Sequence, residues 1–254
     1  MPQLSVIIIT KNAEAHIQAC LDSVAFANEI IVVDANSTDK TATICQRFGK
    51  KVAFFVTDDW LGFGTQKNRA LAKAQGEWIL SIDADERVSN VLQGEIITTI
   101  NNTTHTAFRL HRLSQFMGRW MKHSWSDDYV TRLFKRDSAK FTDDLVHERL
   151  QVFQGTIGTI DIPLWHYSFS SVEEVLEKMN HYSSASAQVR YQQGQQASLT
   201  QAILHGLWTF FRFYVLKRGF LDGQQGFMLA VSNAEGSYYR YLKLMYLQRR
   251  EKID

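Results

Sequence analysis

Three acids in four positions, Asp83, Asp85 and Glu86, follow an apolar run from Trp78 to Ile82. The run reads as a short buried strand. Side chains alternate in direction along a strand, so at its end Asp83 and Asp85 point to the same side. Two carboxylates held together repel unless a cation sits beside them. A divalent ion that also binds phosphate suits the arrangement, because Mg²⁺ and Mn²⁺ take oxygen ligands and often complete their shell with substrate phosphates. The competing reading is a solvated acidic turn.

The elements that must position these acids come before them. Residues 4–9 form an apolar run of the kind found in buried parallel strands, and Thr10-Lys11-Asn12 follows as a loop. Residues 13–24 carry helical spacing through Ala13, Ile17, Leu21 and Val24. Residues 29–33 are a second strand, closed by Asp34, and 36–39 supply N-caps for a helix through Thr43, Ile44 and Phe48. Residues 52–56 read as a third strand. A loop with Trp60, Gly62, Phe63 and Gly64 leads into a helix over 66–74, and residues 78–82 make the fourth strand. Strands alternating with helices predict a right-handed, mostly parallel α/β sheet. Ligands of such sheets sit beyond the carboxyl ends of the strands, where Thr10, Asp34 and Asp83 all fall.

The pattern changes after Glu86. A helix is expected over 88–100, then short alternating segments at 107–113, 130–134, 150–153 and 156–160, which read as a mixed edge to the sheet. Between them, residues 116–125 are rich in aromatic and basic groups, suited to an acceptor that carries hydroxyls and phosphates or else to a packed structural loop. From Ser171 onward the chain reads as helix, with Ser171 to Glu174 as a capping start and a break over 192–196. Residues 203–218 are strongly apolar and aromatic with basic residues at the far end, and 238–250 repeat the theme. Such helices suit contact with an anionic membrane surface, or packing on the core or on a second subunit as a homodimer. The expected division is 1–168 for the α/β domain and 169–254 for a C-terminal helical extension.

Composition narrows the class. Of 254 residues 45% are hydrophobic, enough for a large core, and the net charge of +2 gives no sign of a nucleic-acid partner. The two cysteines, Cys20 and Cys45, lie in helix-like stretches and read as buried reduced thiols. Met1-Pro2-Gln3 leads straight into a strand pattern without a basic leader, and no apolar stretch reaches the ~18–20 residues of a spanning helix. The expectation is a cytoplasmic protein, peripheral to the inner membrane where it meets a bilayer at all.

Four segments in order, 5–12, 33–39, 67–71 and 82–86, resemble those of the family 2 glycosyltransferases. The match is good over roughly the first hundred residues. Residues 143–148 and 219–226 are similar to a narrower group, bacterial glucosyltransferases that add glucose to heptose in the lipopolysaccharide inner core. The resemblance implies a GT-A fold, a Rossmann-like nucleotide-sugar-binding sheet, and a UDP-glucose donor used with Mg²⁺ or Mn²⁺. It implies inversion at the sugar and a lipid A-linked core oligosaccharide as acceptor. It ranks Asp85 above Asp83 as the direct metal ligand, since the second acid of the motif coordinates in the family. His166 is a candidate to complete the shell or touch the diphosphate. Asp34 is the candidate contact for base or ribose, with Thr10 beside it, and Lys67 and Arg69 are candidates to face the phosphates or the acids. Lys11 and Ala35 depart from the family, which often has an aromatic residue and a second acid there. Inverting transfer to a hydroxyl needs a base, for which Glu148 leads and Asp144 follows, with Asp143 also a candidate. Glu86 is expected to pair with Arg87 or the loop backbone. A polyprenyl-phosphate sugar transferase of the same fold, or a non-catalytic nucleotide-sugar-binding assembly factor, are the alternatives.

Overall fold

Leu4–Thr10 (β1) is buried along its whole length, because its two sets of alternating side chains enter two different cores. Leu4, Val6 and Ile8 pack with Ile30, Val32, Leu80 and Ile82 on one face, while Ile7 and Ile9 pack with Ile31, Val33 and Ile79 on the other. This is why the run is almost wholly apolar, since both faces of a parallel sheet are covered; its one internal polar residue, Ser5, is buried and donates its hydroxyl to Glu29 while accepting from the Gly76 N–H. The computed structural model describes residues 2–142 and 148–250.

In the first half, Glu29–Asp34 (β2) and Val52–Val56 (β3) extend the sheet from β1, and Trp78–Asp83 (β4) joins it on the other side, all parallel. Helices Ile17–Ser23 (α1), Thr41–Gln46 (α2) and Phe63–Leu71 (α3) make the crossovers. The strand order is therefore β3-β2-β1-β4, with connections diverging between β1 and β4. Such a switch point opens a crevice at the carboxyl ends of the strands. The register sets Thr10 opposite Asp34 and Ile9 opposite Asp83, so the three candidate residues reach one end of the sheet together. Both cysteines are buried and unpaired, and burial pushes the Cys45 thiol up to about 12.

The remaining strands turn the sheet mixed. Glu86–Arg87 (β5), Asn90–Asn102 (α4), Ala107–Phe116 (β6), Arg119–Trp120 (β7), Tyr129–Lys135 (β8), Ala139–Phe141 (β9), Leu150–Val152 (β10) and Ile157–Phe169 (β11) follow in order. The sheet continues β4-β8-β6-β11-β5, with β8 antiparallel to β4 and β5 antiparallel to β11. β9 and β10 form a small antiparallel pair. The mixed edge is as the alternating segments predict. Several extents differ: α1 starts at Ile17 rather than 13, α3 starts at Phe63, after Gly62 at φ 103°, rather than at 66, β6 runs on to Phe116, and β11 is one strand from Ile157 through Pro163 to Phe169.

The chain divides into two compact units, one made of the residues up to Arg112 with Asp127–His166, the other of Leu113–Ser126 with the residues from Tyr167 on. The division expected from sequence falls at residue 168, and residues 113–126 group with the helices. Those helices are Val172–Gln192 (α5), Leu199–Phe211 (α6) and Gly223–Arg250 (α7). Ser171 caps α5, its hydroxyl accepting from the Glu174 N–H, and Ser198 with Gln201 forms a capping box on α6. Within this unit the loop over 121–126 is pinned by one carboxylate. Asp222, 1% exposed, accepts from the N–H groups of Lys122 (3.1 Å), His123 (3.3 Å) and Ser124 (2.8 Å) and from the Ser124 hydroxyl (2.8 Å). Phe116 and Met121 pack with Val175 and Leu229 beneath it. Among the described residues no helix is long and apolar enough to cross a membrane.

Candidate active site

The loops after β1 and β2 are locked to each other. Asp34, 1% exposed, accepts hydrogen bonds from the Thr10 hydroxyl (2.7 Å), the Ser37 N–H (2.7 Å) and the Ser37 hydroxyl (2.6 Å). Asn12 and Asn36 both adopt left-handed backbone, at φ 51° and 55°, a conformation that asparagine tolerates better than most residues. The turn lets the Asn12 N–H reach the Ser37 hydroxyl (2.7 Å) while its side-chain oxygen accepts from the Thr38 N–H (2.9 Å). Asp39 continues the lock through the Glu14 N–H (2.9 Å). Burial pushes its carboxyl up, but bonds from Thr41 and from the Glu14 and Thr41 N–H groups outweigh this and hold it below the ordinary value.

At the end of β4 lies a charged cluster. One oxygen of Asp83 meets Lys67 Nζ at 3.1 Å and the other meets Arg132 from β8. Arg132 also binds Glu86 Oε1 at 2.9 Å, Arg112 approaches the same oxygen at 3.6 Å, and Glu86 Oε2 accepts the Asp83 N–H at 2.9 Å. Lys67 has a second carboxylate partner, Glu148, at 2.8 Å. Glu86 is fully buried, and Lys67 and Arg132 nearly so. Burial disfavours the charge on Asp83, but Arg132 and Lys67 outweigh it and hold the carboxyl well below the usual carboxylate range. Glu86 thus pairs with Arg132 and Arg112 and, as expected, with the backbone, through the Asp83 N–H. The Arg87 guanidinium donates to the carbonyls of Ala84, Glu86 and His16.

Asp85 stands apart from this cluster and beside His166, Oδ2 to Nε2 3.4 Å, both side chains less than a third exposed. The β5–β11 pairing causes it: His166 is in register with Glu86, which brings the imidazole beside the acid that immediately precedes Glu86 in the chain. Asp83 does not join them, since both of its oxygens face cations. Two ligands of one octahedral ion with ~2.1 Å bonds stand ~3.0 Å apart, so the Asp85–His166 pair fits as two of its ligands. Among the described residues no group of three His, Cys, Asp or Glu side chains is placed to hold a metal. Phosphate oxygens and water would fill the other positions. In the adjoining cluster the carboxylates of Asp83, Glu86 and Glu148 are already held by Lys67, Arg112 and Arg132, so a cation accompanying a diphosphate would ease its approach to these acids.

The other sequence candidates are placed as follows. Arg69 makes a bidentate pair with Asp59, at 2.7 and 2.8 Å, and does not reach the acids. Glu148 is within the cluster through Lys67, whereas Asp143 and Asp144 lie outside the described residues. Arg112 and Arg132 have no counterpart in the sequence reading. Their only signal is an arginine on each of two apolar strands, at positions that solvent would otherwise account for.

Comparison with known proteins adds a family to this geometry. The family described as glycosyl transferase family 2 matches residues 5–159. A protein named as an uncharacterized glycosyltransferase of Rickettsia bellii is 33% identical over 95% of this chain and 86% of its own length. The lipopolysaccharide core biosynthesis glycosyltransferase LpsC of Rhizobium meliloti is 27% identical over 98% of this chain and 93% of its own. Among solved structures, the mannosyltransferase PcManGT of Pyrobaculum calidifontis, in complex with GDP-Man and Mn²⁺, superposes with a TM-score of 0.53 at 14% identity, covering 93% of this chain and 74% of that one. S. aureus TarS 1-349 in complex with UDP-GlcNAc gives 0.50 at 14% identity over 98% and 92%. These likenesses show the GT-A fold.

Proposed function

Because the chain belongs to glycosyl transferase family 2, we propose that it transfers glucose from UDP-glucose, with inversion, to a heptose of a lipid A-linked core oligosaccharide. The work is done at the cytoplasmic face of the inner membrane, where such an acceptor lies. The observation that carries the chemistry is the Asp85–His166 pair, 3.4 Å apart just beyond the end of β4. The relative LpsC, aligned along nearly the whole of both chains, supports the acceptor class. The GDP-Man and Mn²⁺ in PcManGT support a nucleotide sugar seated with a divalent ion on this fold.

Bound Mg²⁺ or Mn²⁺ on Asp85 and His166 would offset the charge that develops on the departing diphosphate. The residues do the rest. Lys67 sits between Asp83 and Glu148, at 3.1 and 2.8 Å, and its ammonium is a candidate donor to a phosphate oxygen. Arg132, fixed by Asp83 and Glu86, keeps Asp83 ionised and the strand end rigid. Glu148 takes the proton from the attacking hydroxyl while that oxygen bonds to the anomeric carbon and the sugar–phosphate bond breaks. Donation of Lys67 to the diphosphate would leave the Glu148 carboxylate free to act as base. The loops locked by Asp34 and Thr10 form the wall against which the nucleoside rests.

A donor screen against truncated lipopolysaccharide acceptors, read by mass spectrometry, tests this reading. UDP-glucose with Mg²⁺ or Mn²⁺ should add one hexose to a heptose-terminated acceptor. Asp85→Ala should abolish transfer with the fold intact, and full activity in that variant removes the metal role. Glu148→Gln should slow transfer to a hydroxyl by about 10²-fold or more. A Glu148→Gln enzyme of undiminished rate would point instead to a polyprenyl-phosphate acceptor, which needs no deprotonation.

A further inference from the structure

Helix α6 is packed the wrong way round for a helix whose partner is only its own protein. Its inward positions are small: Ala202 and Gly206 are buried, and a Cβ on Gly206 would lie 3.3 Å from the Tyr238 Cβ and 3.4 Å from the Ala234 carbonyl of α7. His205 stacks flat on Tyr241 of the same helix at 4.0 Å. The large apolar side chains point away. Leu204 is 59% exposed, Leu207 64%, Trp208 54% and Leu216 56%, with Ile203 and Phe211 alongside. An amphipathic helix of a globular protein normally buries its large residues and exposes its polar ones. Here the large apolar side chains face out, and a group of them together on a protein surface marks an interaction site.

The charges choose the partner. From Leu199 to Leu221 the sequence holds Arg212, Lys217 and Arg218 and no acid. Arg212 and Arg218 are exposed. A two-fold contact with a second copy would lay this face on itself and offer its cations no acid to pair with, which disfavours it. An anionic lipid surface satisfies both features, taking the apolar arc into the acyl boundary and the cations at the phosphate level. Since no described helix is suited to cross a bilayer, the helix lies in the plane of the interface.

We propose that the outward face of α6, continued by the turn over Arg212–Leu216, is a docking surface for a bilayer containing anionic lipid. The proposal deepens the reading of a lipid-linked acceptor by naming the surface that brings the enzyme to it. Its test needs no donor or acceptor, so the two stand or fall separately.

Full-length protein is sedimented with vesicles of phosphatidylcholine alone and of phosphatidylcholine with phosphatidylglycerol. The protein should pellet with the anionic vesicles and weakly or not at all with the neutral ones. Leu207→Glu with Trp208→Glu should lower the partition at least tenfold. Replacing Arg212, Lys217 and Arg218 by serine should lower it severalfold and remove most of its salt dependence. Brominated lipid should quench Trp fluorescence in the wild type and lose that effect in Trp208→Phe, a readout that does not rely on a charged variant folding. The proposal is overturned if wild type ignores anionic vesicles, or if the Leu207/Trp208 variant binds them as well as wild type. It is also overturned if wild type elutes as a dimer that this variant splits while vesicle binding is absent.

Discussion

Arg132→Met offers a direct measure of how much the charged cluster contributes to stability. The guanidinium is 5% exposed and is the closest cationic partner of Glu86, which is fully buried. Removing it leaves Glu86 with Arg112 at 3.6 Å and leaves Asp83 with Lys67 alone. Breaking one side of a buried ion pair costs ~3–5 kcal/mol, because the surviving charge has lost its compensation. For a chain of this size that corresponds to a fall of roughly 6–20 °C in the melting transition, at ~2–4 °C per kcal/mol. Differential scanning fluorimetry and urea titration would record it. Adding Glu86→Gln in the same chain should recover part of the loss, since the stranded charge is then gone, and the double-mutant cycle gives the coupling. A single Arg132→Met variant within ~1 kcal/mol of wild type would refute the argument, as would a cycle with no coupling between the two positions.

Two further outcomes follow from the same region. Asp83 has its pKa depressed in the folded protein, so in the acid range the unfolded chain binds the proton more readily and stability rises with pH. Its contribution should be complete above the unfolded value near 3.9 and be lost as pH falls below it toward the lower folded value; urea midpoints between pH 7 and 3 should drop less steeply in Asp83→Asn, and an unchanged slope would count against the depression. Gly64→Ala places a Cβ 1.7 Å from the Thr142 carbonyl oxygen and 3.4 Å from the Glu148 Cβ, which forces the segment next to the candidate base to move. Transfer rate should fall more than tenfold with donor affinity, read by calorimetry, little changed; equal rates in both proteins would show that the segment yields without moving Glu148.

Much of this architecture was legible in the residues. A strand covered on both faces has to be mostly apolar, with no more than a small buried serine such as Ser5 or Ser81 inside it, so β1, β2 and β4 stand out, and Thr10, Asp34 and Asp83 at their carboxyl ends mark where the strands meet the crevice. The pairing of those residues with particular partners was not legible. Arg112 and Arg132 sit on strands far along the chain, and only the β4-β8-β6 order brings them to Glu86. An arginine in an alternating strand has the pattern of a solvent-facing residue, and nothing local distinguishes one that is 5% exposed. The proximity of His166 to Asp85 likewise depends on β5, two residues long, finding β11. Strand pairing across 80 residues leaves no periodic trace. Arg69 shows the converse: its place beside Lys67 on one helix suggested a shared role, yet a helix turns 100° per residue, and Arg69 reaches Asp59 instead.

The clamp made by Asp222 has a consequence for how the protein comes into being. The loop it holds leaves the ribosome about a hundred residues before the carboxylate does. At ~5–20 residues per second, Lys122, His123 and Ser124 wait roughly 5–20 s for their acceptor. Phe116 and Met121 wait with them, because Val175 and Leu229 complete their cluster only later. A nascent chain that stops short of α7 therefore carries an uncovered apolar segment in its middle, not at its end. Trimming the helices away at residue 168 would not liberate a self-sufficient catalytic half, and chaperone binding during synthesis should concentrate on residues 113–126.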